Sequence, residues 1–456
     1  MGQQNTKREI SVGQLNSEEC QHLKKLFNKI STSNIKGEKG PYCYYGDLQK
    51  HCEIYLDDWL ARRIADRLSI KSPKGDDLVV PLSTFLQFIS SVVKGTLDDK
   101  IDTVWKLAID DSPDKKNEIL PEEILQYARS IIESYIKCME KSSVSKSWIG
   151  VARLSSDSVS DFAEYLLSDI LYSGVNCKEM VTTKPSKAMH TKEEILECFS
   201  KSHLLLSIHD SIFSHCFDVD KDTAFIQLIP KCTKGSQISN KESFTILDLA
   251  RVVFLNSQLP SGQLRREWRL LFTTSQHGES FSKLLGTITD KGPTLLILKE
   301  HRNRVFGAFA SYGWKLGPKF FGDEQSFLFH LDPKFAIYPA TGYNQNFQYM
   351  NIQQQTLPNG LGMGGKFGYF GLWVDAEFGT GKGAPTCTTF SSPQLSTEED
   401  FLIHHLEVWG LGPEPTKDES ERDPRSILDQ DPEAKMMLEM LNRGGHSDAY
   451  RDEPKD

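Results

Sequence analysis

The run Gly360-Leu-Gly-Met-Gly-Gly365-Lys366 constrains the fold most, because its spelling and its setting demand different structures. The pattern G-x-x-x-x-G-K is the first part of a phosphate-binding loop, which needs a strand before it, Ser or Thr after the lysine, and then a helix. Here Leu357-Pro358-Asn359 precedes the run, a poor end for a buried strand. Phe367 stands where the hydroxyl belongs, and Gly-Tyr-Phe-Gly-Leu-Trp-Val374 follows, aromatic and strand-like. The setting is therefore a turn between strands. Repeated glycines permit positive φ and close backbone approach, so Gly360, Gly362, Gly364 and Gly365 are read as a crowded loop between aromatic strands. Two functional alternatives remain: an anion nest, or a partner-binding loop whose amides are open to another protein. Partner contact is the better of the two.

With 456 residues the chain is long enough for two or three domains, and 38% hydrophobic and 25% charged content predicts that most of it folds. A net charge of −9 argues against a general nucleic-acid binder. Nine scattered cysteines form no C-x-x-C and no zinc-finger spacing, which suits reduced thiols in the cytosol. The sequence has no apolar run of the roughly 18 residues that a membrane span needs. The N-terminus is polar, unlike a signal peptide. Met1-Gly2-Gln-Gln-Asn-Thr6 fits the N-myristoylation pattern at Gly2, and Lys7 and Arg8 favour an anionic membrane surface. One such chain anchors only marginally, so stable residence requires a second contact.

Helical spacing runs through the first half, as in Leu23, Leu26, Phe27 and Ile30, then Leu60, Ile64 and Leu68. Acidic loops between helices suggest EF-hands. The loop from Ser112 to Glu123 has the skeleton, with Asn117 at the turn and Ile119 at the apolar position, but Ser112 and Lys116 are poor ligands. Asp114 and Glu123 are its calcium candidates. The loop near Ser72 to Ser83 has only Asp76, and Asp218-Val-Asp220-Lys-Asp222 continues with Thr223 and Ile229 where Gly and Glu belong. The expectation is a degenerate EF-hand-like helical domain over 15–140 behind an N-terminal myristoylation segment, 1–14. A linker near Lys141 to Ser147 opens a helical middle region, 141–243, in which Thr191 caps a helix with an acidic first turn.

Near Phe244 the texture changes. Leu295–Leu298, Val305–Ala310, Phe327–Phe329, Phe335–Tyr338, Tyr369–Val374 and Leu406–Trp409 read as short strands between turn residues, with helices around Ile246–Leu255 and Ser280–Leu285. The fold class predicted is α+β: an N-terminal all-α half, then an antiparallel β-sandwich with flanking helices.

From Phe244 to about Gly412 the chain resembles the TLDc domain. The blocks that carry this are Trp268–Phe272, His277-Gly-Glu-Ser-Phe281, Val305–Phe309, Thr341-Gly-Tyr-Asn344, Leu357–Gly365, Phe370–Asp375 and Leu406–Gly410. With the EF-hand-like region in front and a short tail behind, the whole chain resembles the lysosomal, mTOR-linked branch of that family. The resemblance implies a sandwich of two antiparallel sheets over 244–412. It also implies binding to the vacuolar-type proton ATPase, a role in mTOR signalling at the lysosome, and no accepted catalytic constellation.

Candidate chemistry is thin. His277 and Glu279 could form an acid/base pair beside Ser280, but no G-x-S-x-G elbow surrounds it, and a helix cap is the simpler reading. His404 and His405 alternate faces in a strand and cannot share a metal. Cys387 lacks a nearby base in sequence and reads as a packed thiol. An antioxidant or hydrolytic module through Cys387 or His277 is the alternative function. No cofactor is expected.

The tail offers a partner-binding element. A polar, Pro-bounded tether, 413–425, leads to a helix over 426–443 with Asp431 and Pro432 at its start and Gly444-Gly445 at its stop, before a disordered end, 444–456. Ile427, Leu428, Met436, Met437, Met440 and Leu441 give it an apolar face suited to a partner's groove. The expectation is a non-enzymatic adaptor on the cytoplasmic face of the lysosomal membrane. The sandwich and the tethered helix would grip the proton ATPase together.

Overall fold

Reciprocal capping boxes start three helices of the N-terminal half in a computed structural model, which describes residues 14–31, 42–72, 76–110, 117–140, 142–152, 156–219, 225–234, 245–260 and 262–415. Asn16, Thr96 and Thr191 each accept from the backbone three residues on, and Glu19, Asp99 and Glu194 return the bond. The chain divides into two units, Met1–Pro413 and Glu414–Asp456. The second lies almost wholly outside the described residues, as do Gly2 and Asp114. Its expected helix, with Ile427, Leu428, Met436, Met437, Met440 and Leu441, is outside them too.

The helical half opens with α1 (Ser17–Ile30), β1 (Tyr42–Tyr44), α2 (Tyr45–Glu53), α3 (Asp58–Leu68), β2 (Ile70–Lys71), β3 (Leu78–Pro81) and α4 (Leu82–Ile89), which runs into a π-helical turn at Ser90–Lys94. It continues with α5 (Leu97–Ala108), β4 (Glu118–Ile119), α6 (Pro121–Glu140), α7 (Ser143–Lys146), α8 (Ser156–Leu166), α9 (Ser168–Leu171), α10 (Cys177–Met180), β5 (His190–Thr191), α11 (Lys192–Lys201) and α12 (His203–Cys216). Two short antiparallel sheets organise it, β1-β3-β2 and β4-β5. Cys43 of β1 lies opposite Val80 of β3, and Ile119 of β4 lies opposite His190 of β5. Loops of neighbouring helix–loop–helix units joined this way form an EF-hand-like pair.

The second pairing shows what the sequence did not signal. It joins the loop before α6 to the loop before α11, across the break expected at 140/141. Helices α6 to α10 lie between the two paired strands in sequence. Ile119 is the eighth residue counted from Ser112, and His190 is the eighth counted from Thr183, so Glu194 takes the twelfth place that Glu123 takes in the first loop.

The expected linker is tied down as well. Trp148, directly after α7, is 1% exposed. Its Nε1 donates to the Pro230 carbonyl at 2.7 Å, and its ring stacks on Trp409 and meets the edge of Trp268. The Val151 carbonyl accepts from the Thr245 amide at 3.0 Å. One hydrophobic core therefore runs from the helical half into the β domain.

The β domain holds β6 (Lys231–Lys234), α13 (Leu249–Gln258), β7 (Glu267–Thr273), α14 (Thr274–His277), α15 (Phe281–Ile288), β8 (Thr294–Glu300), β9 (Val305–Ala310), β10 (Phe327–Asp332) and β11 (Ala336–Pro339). After these come β12 (Gln348–Asn351), β13 (Gly360–Met363), β14 (Leu372–Asp375), β15 (Thr380–Lys382), β16 (Thr386–Cys387), β17 (Ser392–Pro393) and β18 (Asp400–Leu411). The strand order is β11-β10-β9-β8-β18-β15-β14-β13-β12, with β7 also on β18. Among the described residues its strands pair antiparallel except β6 on β7. The long β18 belongs to both arms. Residues 400–402 pair with β15, and the remainder pairs with β8 and β7. The two arms face each other across the core: a Cβ on Gly371 would come within 3.0 Å of Leu328 of β10. This is the α+β architecture expected.

Candidate interaction surface

The glycine run forms β13 and the turn after it. Strand β13 is paired on both sides, with Gly362 opposite Tyr349 of β12 and Trp373 of β14. The glycines answer to aromatic rings. A Cβ on Gly360 would stand 2.5 Å from the Trp373 ring, and one on Gly362 would stand 2.6 Å from the Phe370 ring. Those rings stack at 4.5 Å, and Tyr349 lies parallel to Trp373 at 6.2 Å. With Phe320 they form a small second core on the outer face of this arm. Gly364 and Gly365 have φ of +70° and +82°. A Cβ there would meet Cys387 Sγ at 2.7 Å and the Tyr369 carbonyl at 2.0 Å, respectively.

This crowding is the structural part of the sequence reading. The open amides of its functional part are not there. Gly360, Gly362, Gly364 and Gly365 are buried. The Gly364 amide donates to the Phe347 carbonyl at 3.0 Å and the Gly365 amide to Thr389 Oγ1 at 2.8 Å, so neither is free to cradle an anion or a partner.

What the glycines present is the next turn. Lys366 and Tyr369 exchange backbone hydrogen bonds at 2.9 and 3.2 Å, which closes a tight turn with Gly368 at φ +79°. Phe367 is 41% and Tyr369 60% exposed. The Lys366 ammonium lies 5.0 Å from the Tyr369 ring centre, and Phe367 stacks on Phe320 at 5.1 Å. Asn346 Nδ2 donates to the Gly365 carbonyl at 2.7 Å and so ties the turn to the loop carrying the exposed Tyr343. An exposed aromatic turn on a paired strand is a contact surface already held in shape. The sequence signalled it only indirectly, as the residue that broke the phosphate-loop pattern.

The residues of the enzymatic alternative do not assemble. Ser280 caps α15, accepting from the Lys283 amide at 3.4 Å, as the simpler reading had it. His277 stacks on Phe272 at 5.0 Å and uses Nδ1 on the Thr273 backbone. Cys387 is 1% exposed, and burial pushes its thiol up, away from the reactive thiolate. His404 is exposed beside His301, whereas His405 turns to Thr273, Thr274 and Glu407. Glu407 is 1% exposed and also accepts from the Ile246 amide and Trp409 Nε1, which makes it a hub of the core. Among the described residues no three His, Cys, Asp or Glu side chains converge as metal ligands. Glu123, the calcium candidate within them, accepts from the amides of Asp110 and Leu120 at 3.0 and 2.9 Å.

The β domain coincides with a known family: residues 240–412 match the TLDc domain. The chain belongs to the TLDc-domain family. It is similar along most of its length to the mTOR-associated protein MEAK7 of Gallus gallus, with 36% identity over 82% of this chain and 79% of that protein. The Homo sapiens protein of that name is 33% identical over 96% of both chains. Nuclear receptor coactivator 7 of Homo sapiens is 33% identical over 36% of this chain and 17% of that protein.

Proposed function

We propose that this chain is a non-enzymatic adaptor that binds the vacuolar-type proton ATPase through its TLDc domain and C-terminal segment and supports mTOR signalling at the lysosome. The observation that carries the proposal is the exposed Phe367–Tyr369 turn, held on a strand whose glycines exist to seat aromatic rings. The relatives' name supports the link to mTOR, and the resemblance to the TLDc family supports the ATPase. In this reading a myristoyl group on Gly2 and the adjacent Lys7 and Arg8 supply a weak membrane contact. The ATPase supplies the second contact that stable residence needs.

The test is a pull-down from lysosomal membranes with the full chain and with a Phe367→Ser/Tyr369→Ser variant. Recovery of ATPase subunits by the native chain, and at least tenfold less by the variant, supports the reading. Equal recovery by both moves the contact elsewhere on the molecule. No recovery by either rejects the ATPase as partner. A Gly2→Ala variant with unchanged membrane partitioning would remove the lipid from the scheme.

A further inference from the structure

Two stretches of the β domain differ in charge from the rest of this acidic chain, which holds 62 Asp and Glu against 53 Lys and Arg. From Ser311 to Gly322 and from Thr341 to Gly371 there is no Asp and no Glu. The only charged residues in them are Lys315, Lys319 and Lys366, and all three are exposed.

The fold joins the two stretches on one surface. The first is the loop between β9 and β10, and it runs along β12. The Gly317 amide donates to the Met350 carbonyl at 3.0 Å, and Phe321 and Gln348 exchange backbone hydrogen bonds at 2.9 and 2.8 Å. Phe320 of this loop stacks on Phe367 at 5.1 Å, which carries the loop into the aromatic turn after β13. Two of the lysines are seated on rings. Lys366 lies 5.0 Å from the centre of Tyr369, and Lys315 lies 5.8 Å from that of Phe321. A ring face positions an ammonium group without neutralising it. The acids next along the chain face other tasks or other ends. Asp323, just past Gly322, accepts from the Gln325 amide at 2.9 Å. Asp375 pairs with Gly360, at the end of β13 away from the turn.

We propose that this face receives an acidic protein segment, with Phe320, Phe367 and Tyr369 covering its apolar side chains and Lys315, Lys319 and Lys366 meeting its carboxylates. The proposal rests on the reading that the Phe367–Tyr369 turn is the contact, and it adds the chemistry of what is contacted. A surface of one sign speeds the approach of an opposite partner and repels a like one, and the absence of Asp and Glu removes the repulsion an acidic partner would meet. A lipid surface fits less well. Headgroup recognition uses clusters of about four to eight basic residues, whereas three lysines here are interspersed with the amides of Asn344, Gln345 and Asn346, groups suited to hydrogen bonds with another protein.

The test uses the full chain in the lysosomal pull-down, with a Lys315→Glu/Lys319→Glu/Lys366→Glu variant beside the Phe367→Ser/Tyr369→Ser one. The charge-reversed chain should recover at least tenfold less ATPase, and a variant with Arg at the three positions should recover as much as the native chain. Recovery lost by the aromatic variant but kept by the charge-reversed one overturns the proposal and leaves the contact reading standing. If the native chain recovers no ATPase, or both variants recover it fully, the contact reading fails and a fluorescent peptide of alternating Glu and Tyr decides. Binding by the native chain at least tenfold tighter than by the charge-reversed one supports an acidic partner, and equal binding overturns it. Phosphatidylserine vesicles bound through these lysines while the peptide is not bound overturn it in favour of lipid. If the charge-reversed chain does not fold, a Lys315→Gln/Lys319→Gln/Lys366→Gln chain takes its place with the same outcomes.

Discussion

Trp148 stacks on Trp409 with ring centres 5.3 Å apart and planes inclined by 29°. One ring follows a short helix where a linker was expected, and the other sits in the strand shared by both arms of the sheet. The contact makes the helical half and the TLDc domain share a core. Trp148→Ala should cost about 3–5 kcal/mol, the range for emptying a buried aromatic site. Both halves should lose stability together, read as a single calorimetric transition moved to lower temperature. Two separate transitions in the native chain would show that the halves are not coupled.

The glycines allow a paired prediction. Gly362→Ala places a methyl group against the Phe370 and Trp373 rings and should destabilise by about 1–3 kcal/mol, as overpacking does. Gly286 lies inside α15 with nothing within 4 Å of its would-be Cβ. Gly286→Ala should therefore stabilise, by up to about 1 kcal/mol. Urea titrations of the two variants should move in opposite directions. A neutral Gly362→Ala would mean that the rings yield easily and the glycine is not required.

Acid should unfold this protein partly through buried histidines. His330 is fully buried between the Tyr338 hydroxyl at 3.0 Å and the Leu395 carbonyl at 2.8 Å. Burial pushes its pKa down to about 4. Burial also lowers those of His51, His209 and His215. At His330 this leaves the unfolded state holding more protons between about pH 4 and 6.5, so stability rises with pH across that window; the other three act in the same direction. The contribution of His330 is complete above about pH 6.5 and is lost as pH falls toward 4, at up to about 1.4 kcal/mol per pH unit. Denaturation at pH 5 and pH 7 should show the loss. A His330→Gln chain should show a smaller one, and an unchanged slope in that variant would exclude His330 as a source.

Much of this was readable in the residues because it was local. The runs Val305–Ala310 and Phe327–Phe329 became β9 and the first part of β10, and Thr191 caps α11. Crowding at Gly360–Gly365 could be inferred from repeated glycine beside aromatics, but not that Trp373 and Phe370 are the crowding rings, because that depends on the register between β13 and β14. The pairing of Ile119 with His190 was illegible for a different reason. Two-residue strands carry no periodicity, and the partner lies beyond five intervening helices. Exposure falls a few residues beyond the buried glycines, on Phe367 and Tyr369, because the turn that follows β13 points those two rings outward.

The loop from Ser112 to Glu123 gives the last prediction. Calcium would need both oxygens of Glu123 as its bidentate ligand, yet they already hold the Asp110 and Leu120 amides. The helix entering the loop is also supplied with positive charge. Arg63 donates to the carbonyls of Leu107 and Ala108 at 2.9 and 3.1 Å, and Arg67 to that of Lys106 at 2.7 Å, all at the end of α5. Guanidinium groups there satisfy the helix end and favour a loop closed without a divalent ion. Millimolar calcium should therefore leave the melting temperature unchanged, whereas a site filled to a hundred times its Kd would add about 2.7 kcal/mol. Glu123→Ala should lower stability by about 0.5–1.5 kcal/mol, the net worth of bonds to exposed amides that water can take over, by the same amount with calcium or with chelator. A larger loss in calcium than in chelator would show that Glu123 serves a cation after all.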